Sequence, residues 1–268
     1  MPVTTRAGAA INWTTFGTGP RDALLIHRGL GRGADWEAVS RGLAGTLSMT
    51  AFDMPGHGRS APWDGEGEVQ GRFVGIAAEF LEGPTDVIGH SFGATVALRL
   101  AVENPGMVRA LVLIEPVFFA AALADHPHLR ARLDTEFADV DAAQAAGDRL
   151  AAARAFTAIW GGGAAWEEIP EKQQQRLADG MPLIEATGPE LFDDKAGLLK
   201  PGRLEALDIP VLLLQGNASP WIIEAISESL AARLPRAERA MIVGAGHMAP
   251  LTHAKQVASE IGRFLSLV

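Results

Sequence analysis

A serine between glycines is the residue of this chain whose chemistry is easiest to state. Ser91 is the centre of Gly89-His90-Ser91-Phe92-Gly93, a Gly-x-Ser-x-Gly pentapeptide. A β-branched run, residues 85–88, precedes it, and an apolar stretch of helical pattern follows at once. A serine on such a strand-to-helix turn has strained backbone angles, projects its hydroxyl from the sheet edge and faces the first N–H groups of the helix. The context predicts a nucleophile rather than an ordinary Gly-rich turn.

Short apolar runs that alternate with longer amphipathic stretches surround this serine. The runs have the length and composition of buried strands, and the amphipathic stretches have helical spacing. The alternation predicts an α/β protein with a mostly parallel, doubly wound sheet and helices on both faces. The predicted strands are residues 23–27, 48–52, 85–88, 110–114, 211–215 and 239–243, and the predicted helices include residues 71–81, 94–103 and 222–233.

The alternation stops after Pro116. Residues 118–199 are rich in alanine and helical in pattern, with Trp160-Gly161-Gly162-Gly163 as an interruption. A block of this length without strands, inserted between two strands, predicts a helical lid over the sheet edge. We therefore expect a core of residues 1–117 and 200–268 and a lid of residues 118–199.

The composition of the chain narrows the function classes. Its 268 residues are 48% hydrophobic, which suits one α/β domain with an insertion or two small domains. The formal net charge of −9 disfavours nucleic acid and anionic membranes as partners, because both need a basic surface. Seven scattered histidines and no cysteine offer neither a zinc-type cluster nor a disulfide framework. We expect no metal and no cofactor.

The location of the protein is predicted from apolar segments. Residues 1–7 lack the apolar core of a signal peptide, and no apolar run approaches the length of a membrane span. We therefore expect a cytoplasmic protein, although the lack of cysteine is compatible with export too. The sequence contains no signal from which an oligomeric state follows.

Four stretches follow one another in an order that is typical of one family. They are Leu25-Ile26-His27-Arg28-Gly29-Leu30-Gly31, Phe52-Asp53-Met54-Pro55-Gly56-His57-Gly58-Arg59-Ser60, the turn at Ser91, and Val243-Gly244-Ala245-Gly246-His247-Met248-Ala249-Pro250-Leu251. They resemble the His-Gly-x-x-Gly oxyanion loop, the Asp-x-Pro-Gly-His-Gly-x-Ser segment, the serine elbow and the histidine loop of the α/β-hydrolase fold family, in its capped serine hydrolase subgroup. The resemblance covers about residues 24–265 and implies the α/β-hydrolase fold with a helical lid.

His247 has the chemistry that the resemblance implies for it. A serine hydroxyl is a poor nucleophile until a neighbouring base accepts its proton, and imidazole does this near neutral pH. His247 lies in a Gly-rich loop just past a predicted strand, from which it would reach Ser91 over the sheet edge. The alternative is a surface loop histidine.

The acid that would complete a triad departs from the family pattern. In much of the family an Asp follows the strand predicted at residues 211–215, but here the sequence is Gly216-Asn217-Ala218-Ser219-Pro220, with Ser219 at the Asp position. A neutral hydroxyl cannot stabilise an imidazolium as a carboxylate does. The run Leu111-Val112-Leu113-Ile114-Glu115-Pro116 ends an earlier strand with a carboxylate, at a position that haloalkane dehalogenases of this fold use for the acid.

The resemblance therefore implies Glu115 as the acid. Glu115→Gln should then collapse turnover, and Ser219→Asp should change little. Two alternatives stay open. Glu115 caps a strand or pairs with a lid arginine, or the protein has no acid and is a slow enzyme or a binder.

Two backbone N–H groups are expected to form the oxyanion hole, because they are fixed donors that need no reorganisation. One belongs to Phe92, the residue after the serine, and the other by spacing to Gly29. Arg28 replaces the usual glycine of the His-Gly pair. We favour a structural role for Arg28, with a carboxylate such as Glu115 or Asp53 as its partner, over contact with an anionic substrate group.

Aromatic side chains near these segments predict an apolar substrate pocket beneath the lid. Trp160 fits the interior of the lid equally well. The side chains that we expect at the pocket are Trp36, Phe118, Phe119, Trp160, Trp221 and Met248.

The sequence thus predicts a serine hydrolase that cleaves a small apolar ester, thioester, lactone or carbon–carbon bond through an acyl-enzyme. A serine rather than an aspartate nucleophile argues against a dehalogenase or an epoxide hydrolase. One alternative is a signal-binding protein on the same scaffold with little turnover. The other is a cofactor-free oxygenase or perhydrolase, which would depend on oxygen or peroxide.

Overall fold

A computed structural model of the protein describes residues 2–163 and 165–268, which form one eight-stranded sheet with flanking helices. The strand order is β1-β2-β4-β3-β5-β6-β7-β8; the pairs β1–β2 and β2–β4 are antiparallel, and the later neighbours are parallel. The strands are β1 (Val3–Arg6), β2 (Ala9–Phe16), β3 (Arg21–Ile26), β4 (Leu47–Phe52), β5 (Thr85–His90), β6 (Val108–Ile114), β7 (Val211–Gly216) and β8 (Ala237–Ile242).

The mostly parallel sheet confirms the predicted fold class. The six predicted strands correspond to β3–β8, with ends that differ by at most two residues. β1 and β2 escaped prediction because they form the antiparallel end of the sheet and have mixed burial, so they lack the continuous apolar run of a central parallel strand. β5 lies between β3 and β6, with Ile88 opposite both Leu25 and Val112, which places its carboxyl end near the middle of the sheet.

Helices cover both faces of the sheet, as a doubly wound sheet requires. Along β3, Ala23 and Leu25 join the core on one face, and Leu24 and Ile26 join the core on the other. The first core includes α1 (Glu37–Leu43), α10 (Ala249–Thr252) and α11 (Ala254–Leu265), and the second includes α2 (Val69–Ala78), α3 (Phe92–Glu103) and α9 (Ile222–Ala231).

Helices alone connect β6 to β7 in the described part of the chain. They are α4 (Phe119–Asp125), α5 (Arg130–Ala145), α6 (Arg149–Trp160), α7 (Glu171–Ala186) and α8 (Gly188–Phe192), and we call residues 119–192 the helical insertion. α5, α6 and α7 share a separate apolar cluster that includes Val140, Ala153 and Met181. α4 instead joins the main core. The division into a core and a lid of residues 118–199 stays a prediction.

Within the ranges given above, no helix combines the length and the apolar character needed to cross a bilayer.

Candidate active site

Ser91 lies on the sharp turn between β5 and α3. Its backbone has φ of 56° and ψ of −122°, a left-handed conformation that costs energy for a residue with a Cβ. The flanking glycines are required by close packing, because a Cβ on Gly89 would lie 2.4 Å from the carbonyl oxygen of Gly93, and a Cβ on Gly93 would lie 2.3 Å from that of His27. The sequence pattern thus folds into the strand–turn–helix that was predicted.

Three polar side chains meet at the carboxyl edge of the sheet. The Ser91 Oγ is 2.9 Å from His247 Nε2, and His247 Nδ1 is 3.2 Å from Glu115 Oε2. Ser91, Glu115 and His247 are 8%, 0% and 5% exposed, so solvent hardly screens them. Glu115 directly follows β6 and, like Ser91, has a left-handed backbone, with φ of 53°. The arrangement is a hydroxyl–imidazole–carboxylate relay.

Ser219 supports the carboxylate of Glu115. Glu115 Oε1 accepts a hydrogen bond of 2.6 Å from the Gly216 N–H and one of 2.5 Å from the Ser219 hydroxyl. A buried carboxylate needs such donors, because its desolvation is otherwise very costly. The residue at the usual Asp position therefore hydrogen-bonds the carboxylate that the end of β6 supplies.

His247 is held on two further sides. The His90 Nε2–H donates to the backbone oxygen of His247 at 2.8 Å, and burial pushes the pKa of His90 well below its ordinary value. The ring centroid of Trp160 lies 4.7 Å from that of the His247 imidazole, with the planes at 66°. An edge-to-face contact of this kind fixes the imidazole plane.

Gly29 and Phe92, the predicted oxyanion donors, line one cavity together with Ser91. Phe92 is the first residue of α3, and Gly29 lies in the loop after β3. Among the described residues, neither backbone N–H has a protein acceptor. Both donors are thus available to a ligand beside Ser91.

Two buried histidines hold the loop after β3. The His27 Nδ1–H donates to the Arg28 carbonyl at 2.7 Å, and the Leu30 N–H donates to His57 Nε2 at 3.0 Å. Burial lowers the pKa of His27 to about 4 and that of His57 to about 3. Both rings are therefore neutral near pH 7, which leaves the His57 Nε2 lone pair free to accept.

Arg28 interacts with its own loop. Its Nη1 donates to the Gly29 carbonyl at 3.0 Å, and its Nη2 lies 3.8 Å from the Asp35 carboxylate. The salt-bridge partner is Asp35 rather than Glu115 or Asp53, because the side chain turns toward the short helical turn Gly33–Trp36. Burial lowers the pKa of Arg28, with the Asp35 carboxylate acting in the opposite direction.

A cavity of about 660 Å³ lies between these groups and the helical insertion. Of the predicted pocket residues, Phe119, Trp160 and Met248 line it. Its apolar wall also includes side chains that the sequence analysis missed: Leu133, Phe137, Phe156, Leu177, Ile184, Leu191 and Phe192. The spacing of Leu133, Phe137 and Val140 along α5 is the helical signal that would have found part of this wall.

The pocket prediction was wrong for three residues, because the cavity is not lined by Trp36, Phe118 or Trp221. Trp36 packs in the core on the α1 and α11 face of the sheet. Phe118 is buried in the opposite core. Trp221 precedes α9 and donates its indole N–H to Glu136 at 2.6 Å. Aromatic type alone did not distinguish core packing from cavity lining.

The chain belongs to the alpha/beta hydrolase family. The model of that family matches residues 23–260, a range that contains Ser91, Glu115 and His247. The resemblance seen in the four sequence stretches is thereby confirmed.

Individual proteins are similar to this chain over part or all of its length. Lipase LipV of Mycobacterium tuberculosis is 35% identical over 127 residues, which are 46% of this chain and 46% of LipV. The chain thus aligns with about half of the length of LipV. A pimeloyl-[acyl-carrier protein] methyl ester esterase of Neisseria meningitidis serogroup B is 28% identical over 257 residues, 89% of this chain and 90% of that relative. A bromoperoxidase structure from Bacillus anthracis has a TM-score of 0.77 at 23% identity, over 99% of this chain and 100% of its own, which shows the fold alone.

Proposed function

We propose that the protein is a serine esterase that cleaves a small, apolar carboxylic ester through an acyl-enzyme. The observation that carries the proposal is the hydrogen-bonded relay from Ser91 through His247 to Glu115. It lies beside two backbone N–H groups, of Gly29 and Phe92, that have no acceptor among the residues the structure describes. The relatives support an ester substrate, because LipV is named a lipase and the Neisseria protein a methyl ester esterase.

The relay performs the first half of the reaction. His247 Nε2 accepts the proton of the Ser91 hydroxyl as its oxygen attacks the ester carbonyl. Glu115 keeps the Nδ1 proton oriented toward itself and stabilises the imidazolium that forms. The N–H groups of Gly29 and Phe92 donate to the oxygen on which negative charge develops.

Collapse of the tetrahedral intermediate completes acylation. His247 gives its proton to the departing alcohol oxygen, and the C–O bond of the ester breaks. Water then enters, loses a proton to His247 and attacks the acyl-enzyme by the same sequence of steps. Ser91 is released with its proton, and the acid product leaves. The residues of the chain suffice for each step.

The cavity favours an apolar and uncharged substrate. Phe119, Phe137 and Trp160 lie in its wall and offer an acyl chain a dry surface. The lining also includes two arginines, but Arg28 faces Asp35 and Arg130 donates to Asp134. Exposed lining carboxylates include Asp141, Glu185 and Asp193. Such a mouth raises the energy of an approaching anion and leaves a neutral ester unaffected.

Hydrolysis of p-nitrophenyl butyrate, with Ser91→Ala as the matched variant, tests the proposal. We expect steady release of nitrophenolate by the wild type and loss of essentially all turnover in Ser91→Ala. Intact mass after treatment with a small fluorophosphonate should show one adduct on the wild type and none on the variant. A wild type that gives neither turnover nor adduct would contradict the proposal.

A further inference from the structure

Leu30 combines a strained backbone with a place in the oxyanion loop, residues 28–31. Its φ of 59° lies in the left-handed region, which an L residue with a branched side chain seldom adopts. The Leu30 N–H donates to His57 Nε2, so the peptide bond between Gly29 and Leu30 has a fixed direction. The strain must be offset by contacts of the Leu30 side chain or of its backbone.

The side chain of Leu30 packs with the helical insertion. Leu30 contacts the apolar cluster of α5, α6 and α7, which includes Leu177, Ala178 and Met181. Gly180 on α7 makes room for it, because a Cβ at Gly180 would lie 2.3 Å from Leu30 Cδ2. A half-buried residue of the strand-end loop thus packs against the interior of the insertion and also lines the cavity.

α7 also contacts the predicted oxyanion donor itself. A Cβ on Gly29 would lie 3.0 Å from Ile184 Cδ1, one helical turn beyond Gly180. Between these two contacts, α7 lies along the backbone of the oxyanion loop. The helix therefore faces the loop at two successive positions, Gly180 opposite Leu30 and Ile184 opposite Gly29.

We propose that Leu30 is a positioning residue, which α7 holds in the left-handed conformation so that the Gly29 N–H faces the oxygen of the substrate. The inference rests on the proposed esterase function and extends it. The oxyanion hole is complete only while Leu30 is seated against Gly180. Displacement of either one frees the Gly29–Leu30 peptide, and the preceding Arg28–Gly29 peptide, which has the donor N–H, turns with it. Leu30 also lines the cavity, but the stabilisation of the transition state weakens more than substrate binding does.

Gly180→Ala separates this role from a purely structural one. Alanine is the better helix former by about 1 kcal/mol, which offsets much of the cost of displacing Leu30, so the variant should stay folded and unfold within a few degrees of the wild type. Its methyl group would displace Leu30, and we expect kcat to decrease on the order of tenfold with KM within about twofold, since full loss of one oxyanion donor costs about 10²-fold or more. Gly75→Ala is the matched control, because Gly75 is an exposed glycine inside α2 with no neighbour near its Cβ position. The Gly75→Ala variant should be at least as stable as the wild type and fully active.

Two substitutions of Leu30 test the backbone. Leu30→Ala keeps the strain and removes the contact, so the loop should relax and kcat should decrease on the order of 10²-fold. Leu30→Gly removes the contact and the strain together, so the left-handed conformation stays accessible and the loss should be nearer to tenfold. A residue that only lined the substrate cavity would give equal effects for alanine and glycine, and it would raise KM.

A double variant measures the coupling. In the Leu30→Gly background, Gly180→Ala should change kcat by less than about twofold, because the side chain that it displaces is absent. The inference would be overturned if Gly180→Ala reduced kcat by the same factor in the Leu30→Gly background as in the wild type. A Gly180→Ala enzyme with the kcat of the wild type would overturn it too.

The rate of Ser91 phosphonylation by the fluorophosphonate, followed by intact mass, gives a second readout, because the phosphoryl oxygen uses the same donors. It should rank the variants in the order of their kcat values. A wild type that is phosphonylated but hydrolyses no ester would refute the proposed esterase. The ranking of the variants by phosphonylation would still decide the role of Leu30.

Discussion

The carboxyl edge of the sheet and the helical insertion line the same cavity, but they contribute different kinds of side chain to it. At the sheet edge, Ser91, Glu115 and His247 are buried and hydrogen-bonded to one another, and two of them have left-handed backbones. The insertion contributes an apolar wall, and its charged groups form exposed pairs such as Arg154 with Glu167. A buried polar relay tolerates no loss of a partner, whereas an apolar wall tolerates changes of shape. The comparison predicts that substitutions at the edge change the rate and that substitutions in the wall change the substrate.

Glu115→Gln should have the largest effect at the sheet edge. Glutamine has the shape of glutamate but no charge, and its amide offers His247 Nδ1 the wrong partner. We expect kcat to decrease on the order of 10⁴-fold with little change in KM. Steady-state kinetics with p-nitrophenyl butyrate measures this, and phosphonylation of Ser91 should slow in parallel. A kcat within tenfold of the wild type would show that Glu115 is not the acid.

A double substitution sharpens the same point. Ser219→Asp alone would place a second carboxylate at the 2.5 Å contact with Glu115, so we now expect a loss of activity rather than little change. In Glu115→Gln/Ser219→Asp, the carboxylate returns to the position that the wider family uses. Its kcat should exceed that of Glu115→Gln at least tenfold. No gain over Glu115→Gln would mean that the loop after β7 cannot present an acid to His247.

Low pH should reduce the stability of the fold, because a histidine buried in its neutral form near the sheet edge becomes protonated when the chain unfolds. The pKa of His57 is about 3 in the folded chain and 6.5 in the unfolded one, so the unfolded chain binds the proton first as the pH decreases. The stability that the neutral, buried His57 contributes is fully present above pH 6.5, and it is lost as the pH decreases from 6.5 toward 3. At pH 4.5 this loss is on the order of 3 kcal/mol.

Urea unfolding at pH 7.5 and pH 4.5 measures this loss. His57→Gln keeps an acceptor for the Leu30 N–H and does not titrate. It should therefore lose less stability than the wild type between the two pH values, although it starts from a lower stability. Equal losses in the two proteins would contradict a buried neutral His57.

The sequence predicts the sheet edge better than it predicts the helical insertion. Ser91 and His247 are embedded in local patterns of glycine and strand, so their place at the sheet edge followed from the sequence. Glu115 required the resemblance, because only the fold brings the end of β6 beside a residue 132 positions away. The cavity wall was predicted poorly, since an aromatic side chain in a helix has the same pattern whether it faces a core or a cavity. The contact between Leu30 and Gly180 has no local sequence signal at all.

Phe137→Ala should have the smallest of these effects, and it tests the wall. Phe137 lies in the cavity wall among aromatic rings, with centroids 5.9 Å from both Phe119 and Phe192. Its truncation enlarges the apolar space, so the ratio of kcat/KM for p-nitrophenyl octanoate over butyrate should rise about tenfold, within the range that a few methylenes are worth in an apolar pocket. The kcat for butyrate should stay within about threefold of the wild type, because the relay at the edge is untouched.

Phe80→Ala is the matched control for that experiment. Phe80 is half-buried like Phe137 and contacts another ring, with its centroid 5.1 Å from that of Phe52, but it lies outside the cavity wall. Its truncation should cost stability, by about 3 kcal/mol at most, and leave the chain-length ratio unchanged. A shift of the ratio in both variants would mean that loosening of the fold, rather than the shape of the wall, sets the acyl preference. A shift in Phe137→Ala alone would assign substrate choice to the insertion and leave the rate to the sheet edge.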